Sequence, residues 1–570
     1  MPEDCPKATT SIDAAEIDTS SAALQCVPRQ QHHSIAVVVA PDLGLPPLQH
    51  KAAEATIPLG RTSSSLTTIG EALKQRRKQG TPAKELHLLA HGNSQGIQLA
   101  DHWIDHAALV RHAAGIAEWQ ISTLVLWCCQ IGRNQAFINQ LRKITGAEIF
   151  VSDNHINKEA IKTHNEYGDT HQLSELIENN QLQTWQGDLE WLQVGDEIEG
   201  RKKNARSGSS VSLSSDGSIV AIGSWNDRTI GKQRGSVAVY QSVNNSWTQL
   251  GNILNGDNNY DRFGGQVSLS ADGSRLAVGT ARDDDGGTRA GSVSIYELQS
   301  GTWTKLGSNI DGVSADDRAG ISLALSGDGS TIIVGAERGH TQNRGYAGIY
   351  EWDGTSWDLI GSLIKGTQKK EYSGRSVAIS EDGSRVAIGS WAFDSNGNDR
   401  GRVRVYDNVG GTWNEKFEII GEKKKDFASS VSLSDNGNIL AIGANGNDGA
   451  GNNSGHARVY DISGSSEKQL GDDINGQTAG QELGATVSLS SNGQRLAVGA
   501  PKADGVHSDS GRVTIFDYDS SSDSWTKVGS RINGVGTGDA SGAGVTGLSL
   551  SGDGETVAIG ARFHDGDTNA

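Results

Sequence analysis

Between Leu189 and Ala570 apolar and polar positions alternate in short runs, the two-residue period of strands with one face buried. The runs recur. Val211-Ser-Leu-Ser-Ser-Asp-Gly returns as Val267-Ser-Leu-Ser-Ala-Asp-Gly, Leu323-Ala-Leu-Ser-Gly-Asp-Gly, Val377-Ala-Ile-Ser-Glu-Asp-Gly, Val431-Ser-Leu-Ser-Asp-Asn-Gly, Val487-Ser-Leu-Ser-Ser-Asn-Gly and Leu548-Ser-Leu-Ser-Gly-Asp-Gly. Copies at a spacing of about 55 residues are supersecondary units that bury their apolar faces only against one another. Each repeat predicts four strands. A strand with a Trp (Trp191, Trp247, Trp303, Trp357, Trp413, Trp525) comes first, then the Val-Ser-Leu-Ser strand. Asp-Gly turns that strand into a third such as Arg275-Leu-Ala-Val-Gly, and a Gly-x-Val-x-Val-Tyr strand ends the unit. Seven units of four antiparallel strands predict an all-β seven-bladed propeller over residues 188–570. The last strand type occurs six times, so the seventh blade is expected to be incomplete, or to be finished by sequence beyond Ala570.

The first third follows another period. Ile35 to Ala40, Leu86 to Ala90, Thr123 to Trp127 and Glu148 to Ser152 are near-continuous apolar runs, separated by helix patterns at Ile69 to Gln79, His106 to Glu118 and Asn134 to Ile144. Strands apolar throughout and separated by helices predict an α/β domain with a parallel sheet covered on both faces, over 34–172. Residues 1–33, Ser/Thr/Ala-rich with few large apolars, predict a disordered leader. Residues 154–187 turn polar and predict a last helix, with a linker over 173–187.

Composition supports the division. The first 187 residues hold 11 of the 15 His and all four Cys, but 11 of the 74 Gly. A net charge of −18 argues against nucleic-acid binding, which needs clustered Lys and Arg; the basic runs Lys74 to Lys78 and Lys423 to Lys425 are short. No run is long enough to span a bilayer. Cys5, Cys26, Cys128 and Cys129 do not make a disulfide framework. The histidines follow no metal-ligand spacing, so neither a metal nor a cofactor is expected.

Candidate chemistry lies where the apolar strands end, since ligands of parallel sheets bind beyond the strands' carboxyl ends. Leu86 to Ala90 runs into His91 and Gly92, and Thr123 to Trp127 into Cys128 and Cys129. On neighbouring strands, the imidazole could raise the thiolate fraction and the Gly92 N–H could stabilise an oxyanion. The alternative is a buried structural Cys and a strand-capping His. Asp153, ending the next strand, either shapes a substrate pocket or caps the following helix. His87 alternates with His91 and points elsewhere.

Two resemblances sharpen these expectations. Phe263-Gly-Gly-Gln-Val-Ser-Leu-Ser and Leu483-Gly-Ala-Thr-Val-Ser-Leu-Ser with Leu496-Ala-Val-Gly-Ala-Pro resemble the FG-GAP repeats of integrin-type propellers. That family often holds calcium in the hairpin here cut to Ser-x-Asp-Gly, which offers one side-chain ligand where calcium needs six to eight oxygens. Asp283 to Asp285 and Asp394 to Asn398 place oxygens at alternate positions but lack the closing Glu.

Leu88-Leu-Ala-His-Gly-Asn-Ser-Gln-Gly, Leu126-Trp-Cys-Cys-Gln-Ile-Gly and Thr145-Gly-Ala-Glu-Ile-Phe-Val-Ser-Asp resemble a bacterial domain of unknown function found at the N-termini of large surface proteins, and the arrangement is similar to caspase-like cysteine peptidases. The resemblance implies Cys129 as nucleophile and puts Cys128 where the family has Gly. It implies a cell-surface or secreted adhesion protein whose propeller loops bind a protein or carbohydrate, with a cytoplasmic location left open. The alternative is a cysteine peptidase in which His91 and Cys129 act on a partner or on this chain.

Overall fold

The computed structural model describes residues 35–39, 56–57, 65–79, 82–89, 91–93, 96–99, 102–127, 135–151, 162–164, 170–172, 191 and 193–564, apart from 244–245, 395–398, 424–425, 427–428, 506 and 544–545. The leader expected over 1–33 lies outside them.

In the first third, β1 (Ile35–Val39), β2 (Thr56–Ile57), α1 (Ser65–Lys78) and β3 (Glu85–Leu89) open the chain. A hairpin ribbon of β4 (His91–Asn93), β5 (Gly96–Leu99) and β6 (His102–Asp105) follows, then α2 (His106–Arg111), α3 (Ala113–Ala117), β7 (Thr123–Trp127), α4 (Gln135–Thr145) and β8 (Glu148–Phe150). The expected parallel sheet is present, small and five-stranded, in the order β2-β1-β3-β7-β8. Leu86, Leu88, Leu124 and Leu126 are buried in it, and Ile69, Leu73, Phe137 and Leu141 bury the helices' apolar sides.

Three details differ from expectation. The helix over His106 to Glu118 breaks at His112, whose ψ of 8° leaves the helical range. The antiparallel ribbon β4-β5-β6 is an addition. Within the polar stretch expected to hold a last helix, β9 (Lys162–His164) and β10 (Thr170–Gln172) pair antiparallel instead.

The repeats form the expected propeller, with six blades and not seven. Blade one consists of Ser207–Leu213, Ile219–Ser224, Ser236–Val243 and Ser246–Gln249, hydrogen-bonded in that order. Five further sheets repeat it, with inner strands Gln266–Leu269, Ala319–Leu325, Ser373–Ile379, Ser430–Leu433 and Thr486–Leu489. The Trp strand therefore ends a blade rather than beginning one. The seventh repeat forms only the two-stranded sheet Leu548–Leu550 and Val557–Ile559. A blade needs the Gly-x-Val-x-Val-Tyr strand to join its inner hairpin to its Trp strand, and that strand occurs six times.

The two-stranded sheet still closes the ring. Its inner strand packs between those of blades six and one. The serine in Val-Ser-Leu explains how neighbours are held. The Leu269 N–H donates to Ser212 Oγ at 3.0 Å, Leu325 to Ser268 at 3.1 Å, Leu489 to Ser432 at 3.0 Å and Leu550 to Ser488 at 3.0 Å. Leu213 donates to Ser549 Oγ at 3.0 Å and ties the last sheet to the first, while blades three and four carry Ala324 and Ala378 at the serine position and lack the bond to the blade that follows. Outside, a belt of indoles does the same. Trp303 Nε1 donates to Leu250 O at 2.9 Å, Trp525 to Leu470 O at 2.8 Å, Trp191 to Val528 O at 3.3 Å and Trp247 to Val194 O at 2.8 Å. Trp191 and Val194 thus stand between the outer strands of blades six and one.

The apolar cores sit between blades. Ile219, Val237, Phe263, Val267, Leu276 and Trp303 bury one another across the first junction. Second strands are sealed in the six blades, with Leu276, Ile332 and Leu496 each 0 % exposed, whereas Val557 to Ile559 are half-buried.

Candidate functional site

The expected neighbours in the N-terminal domain are neighbours. β3 and β7 pair in parallel with Leu89 opposite Trp127, so both strands end at the same edge of the sheet. His91 and Gly92 lie in β4, with Gly92 opposite Ile97 of β5. Cys129 and Asp153 lie outside the described residues. His87 is 1 % exposed and takes no part at that edge; its Nε2 bonds Glu85 Oε1 at 2.5 Å.

In the propeller, the Ser-x-Asp-Gly hairpins use up their own acceptors. Asp216 Oδ1 accepts from Ser214 Oγ at 2.6 Å and from the Ser218 N–H at 2.9 Å, and the Ile219 N–H donates to Ser214 Oγ at 2.9 Å. Burial pushes the Asp216 carboxyl up, but those hydrogen bonds outweigh it and hold its pKa below the ordinary value. The same balance lowers Asp272, Asp328 and Asp382. Each carboxylate is a turn clamp. The acidic loop at Asp283 is similar, with Oδ1 accepting from the Asp285 N–H at 3.1 Å and Oδ2 from Ser292 Oγ. Residues 395–398 of the other acidic loop lie outside the described residues.

A second acidic position recurs before five of the seven inner strands, as Asp261, Asp317, Glu371, Asp426 and Asp539. Asp261, 4 % exposed, accepts the Asn258 N–H at 3.0 Å. Burial, partly offset by that bond, and repulsion from Asp283, Asp284 and Asp285 raise its carboxyl to about 6. Between 3.8 and about 6 the folded chain holds a proton that the unfolded chain has released, so stability falls as pH rises through that window. Blade six has Gln481 at the equivalent place, accepting the Gln477 N–H at 2.7 Å, so an amide suits the site. Asp261→Asn is therefore expected to raise stability at pH 7 by about 1 kcal/mol and to leave it unchanged at pH 3.5, read as Tm at the two pH values.

Beside the two-stranded sheet a cavity of about 540 Å³ opens, lined in part by Trp191, Val194, Leu213, Val220, Thr556 and Ile559. At its rim Glu197, Glu199 and His564 bring ligand atoms within 4.8 Å of one another. Three donors fall short of a calcium shell. His564 Nδ1 also lies 3.2 Å from Asp539 Oδ2.

The end of the ring where inner strands begin and second strands finish differs most from blade to blade. After the second-strand glycine the position two residues on is Trp225, Ala281, Glu337, Trp391, Asn445, Pro501 or Arg562. Two residues before the glycine that opens the inner strand (Gly208, Gly264, Gly320, Gly374, Gly484 or Gly542) stands Arg206, Arg262, Arg318, Tyr372, Glu482 or Ala540, in the left-handed region each time (φ 60°, 63°, 59°, 53°, 57° and 52°). A conformation common to all of them belongs to the fold, whereas the side chain is Arg in blades one to three and changes to Tyr372, Glu482 and Ala540 further round the ring. Tyr372 and Trp391 stack there at 5.3 Å with an interplanar angle of 24°. Sequence reasoning missed this face; lining up repeats to find positions that vary inside a constant frame would have shown it.

Comparison with known proteins agrees with this division. Residues 48–189 match the family model described as Domain of unknown function (DUF4347), and residues 247–296 match that of the FG-GAP repeat. No curated protein matches the chain. Among solved structures, a candidate 6-phosphogluconolactonase from Bacteroides uniformis ATCC 8492 is similar at 12 % identity, over 57 % of this chain and 85 % of that one, with a TM-score of 0.41. A likeness at that level carries no functional argument. Among the described residues no helix is long and apolar enough to cross a membrane.

Proposed function

We propose that the protein is a cell-surface or secreted adhesion and interaction protein, with residues 188–570 as its binding platform and residues 34–172 as an N-terminal α/β domain. The observation that supports it is the contrast between strands that repeat and a face that does not. The Val-Ser-Leu-Ser strands and the serine and indole belts recur, while at the position of Trp225, Ala281, Glu337, Trp391, Asn445, Pro501 and Arg562 the seven repeats carry six residue types. A merely structural ring has no use for that variation; a binding surface does, because function resides in the site and not in the fold. Its ligand would be a protein or a carbohydrate met outside the cell.

Beads coated with the full chain are expected to adhere to at least one member of a panel of glycans and extracellular-matrix proteins. Trp225→Ala with Trp391→Ala is expected to cut adhesion at least tenfold with secondary structure unchanged. Failure to adhere to any member, or adhesion untouched by the double substitution, defeats the reading.

A second reading is supported by the adjacency of β3 and β7: a caspase-like cysteine peptidase in which His91 activates Cys129, the Gly92 N–H serves the oxyanion and Asp153 borders the pocket. It predicts that iodoacetamide labels Cys129 at least tenfold faster than Cys128 at pH 7, and that His91→Ala abolishes the difference. Equal rates in the wild type exclude the dyad.

A further inference from the structure

Arginines from blades far apart in sequence meet on the variable face. From blades one to three come Arg206, Arg262 and Arg318, just before the inner strands, with Arg282 and Arg338 just after second strands. Blade four adds Arg375, and the seventh sheet adds Arg562. Because inner strands ring the axis, each packed on the next, their starting ends surround the mouth of the central channel. The charges sense one another across it. Arg562 is half-buried, and its pKa is lowered by desolvation first and then by Arg206 and Arg375, against an upward pull from Glu482; Arg262 is likewise lowered by desolvation and then by Arg282 and Arg318. Arg375 stands on blade four and Arg562 beyond blade six, three sheets apart around the ring.

Aromatic rings and one shared carboxylate hold these guanidiniums in place. Arg262 lies 4.4 Å above the Trp225 ring, and Arg206 and Arg562 lie 4.1 and 4.8 Å from the one phenyl ring of Phe563. Glu337 is shared, receiving Arg318 Nη1 at 3.1 Å and Arg375 Nη1 at 3.3 Å. The Nε atoms of Arg262, Arg318, Arg338 and Arg562 are buried without a hydrogen-bond partner. A folded chain of net charge −18 has gathered like charges around one opening and left donors unused there. Gathering like charges costs stability, and because the arginines themselves are half-buried, an anion meeting their accessible edges would offset the repulsion.

We propose that this mouth binds an acidic polysaccharide, with the arginine forks gripping uronate carboxylates. The inference rests on the platform reading and names its ligand class. Stacking on aromatic rings fixes the plane of a guanidinium and leaves its N–H edges for bidentate carboxylate recognition. Phe563 remains 39 % exposed, an apolar surface for a sugar ring beside the charges. A stiff chain with a carboxylate on each residue loses less conformational freedom on binding than a flexible acidic peptide. A nucleic acid carries denser charge, and the net charge of −18 on the chain repels what extends past the mouth.

The test uses the full chain and polygalacturonate fragments, with binding followed by calorimetry at 50 and 200 mM NaCl. Binding is expected, weakening at least tenfold with the added salt and at least tenfold in both Arg562→Gln and Arg375→Gln. Fully methyl-esterified polymer is expected not to bind. Arg562→Gln relieves repulsion, so its Tm is expected to equal or exceed that of wild type, which separates lost binding from lost folding. Equal binding of the esterified polymer, no binding of either, or unchanged affinity in both variants overturns the inference. So does tighter binding of poly-glutamate or single-stranded DNA. If the beads still adhere through Trp225 and Trp391 while polygalacturonate is ignored, the ligand class fails and the platform stands.

Discussion

Gly279→Ala is expected to destabilise the propeller by about 3 kcal/mol or more, whereas Gly265→Ala changes it by less than about 1 kcal/mol. Gly279 ends the second strand of blade two, where the next blade's turn presses against it. A Cβ there would collide with the backbone carbonyl of Gly320 and come within 3.2 Å of Leu323 Cδ2. A carbonyl cannot rotate aside as a side chain can, so the clash moves a blade. The contact recurs at Gly223, Gly335 and Gly443, and Gly560 meets Gly208 at the closure of the ring. At Gly265 the nearest atom to an added Cβ is the Arg262 carbonyl oxygen at 3.4 Å. Urea unfolding of the two variants beside wild type checks the difference, and equal losses would show that the inter-blade contact is soft.

Glu371→Leu is expected to cost about 3–5 kcal/mol, because it strands a buried arginine. Glu371 is 0 % and Arg402 4 % exposed, and Glu371 Oε1 receives Arg402 Nη2 at 2.6 Å and Nε at 3.1 Å. Glu371 Oε2 caps the N–H groups of Thr367 at 2.6 Å and Gln368 at 2.8 Å. Arg402 also stacks 4.0 Å from the Phe393 ring centroid and reaches Glu418. Adding Arg402→Met to Glu371→Leu is expected to recover part of the loss, by removing the uncompensated charge while the two backbone donors stay orphaned. Thermal or urea unfolding of both single variants and the pair measures the coupling. Strict additivity would mean that the charges act independently.

Much of the ring was legible because its period is two and its punctuation is chemical. Val211-Ser-Leu-Ser with Asp216-Gly announced a strand and a tight turn, and both are present. Blade boundaries were harder. Val-Ser-Leu-Ser strands number seven, as do the Trp-type strands once Lys468-Gln-Leu-Gly, which has lost its Trp, is counted, and their order along the chain puts the Trp strand first; hydrogen bonding puts Trp247 last in blade one and leaves six complete sheets among the described residues. The count of Gly-x-Val-x-Val-Tyr strands already held that answer. In the N-terminal domain, apolar runs such as Leu124 to Leu126 marked the sheet, but β4 and β6 are short and rich in His, Asn and Asp, with no apolar alternation to show them.

The variable face was not legible. Arg206 and Arg562 are separated by most of the propeller in sequence, and only ring closure sets both against Phe563. Basic runs at Lys74 and Lys423 drew attention instead, since adjacency in sequence is what a linear reading weighs.

The central claim is that binding resides at one end of the ring. It is tested most directly by measuring adhesion of the full chain after substitutions at each end: Trp225→Ala with Arg562→Gln on the variable face, and Ser215→Ala with Glu381→Ala on the hairpins opposite. The account predicts at least a tenfold loss for the first pair and wild-type adhesion for the second. Equal loss at both ends, or loss at the hairpin end alone, would contradict it.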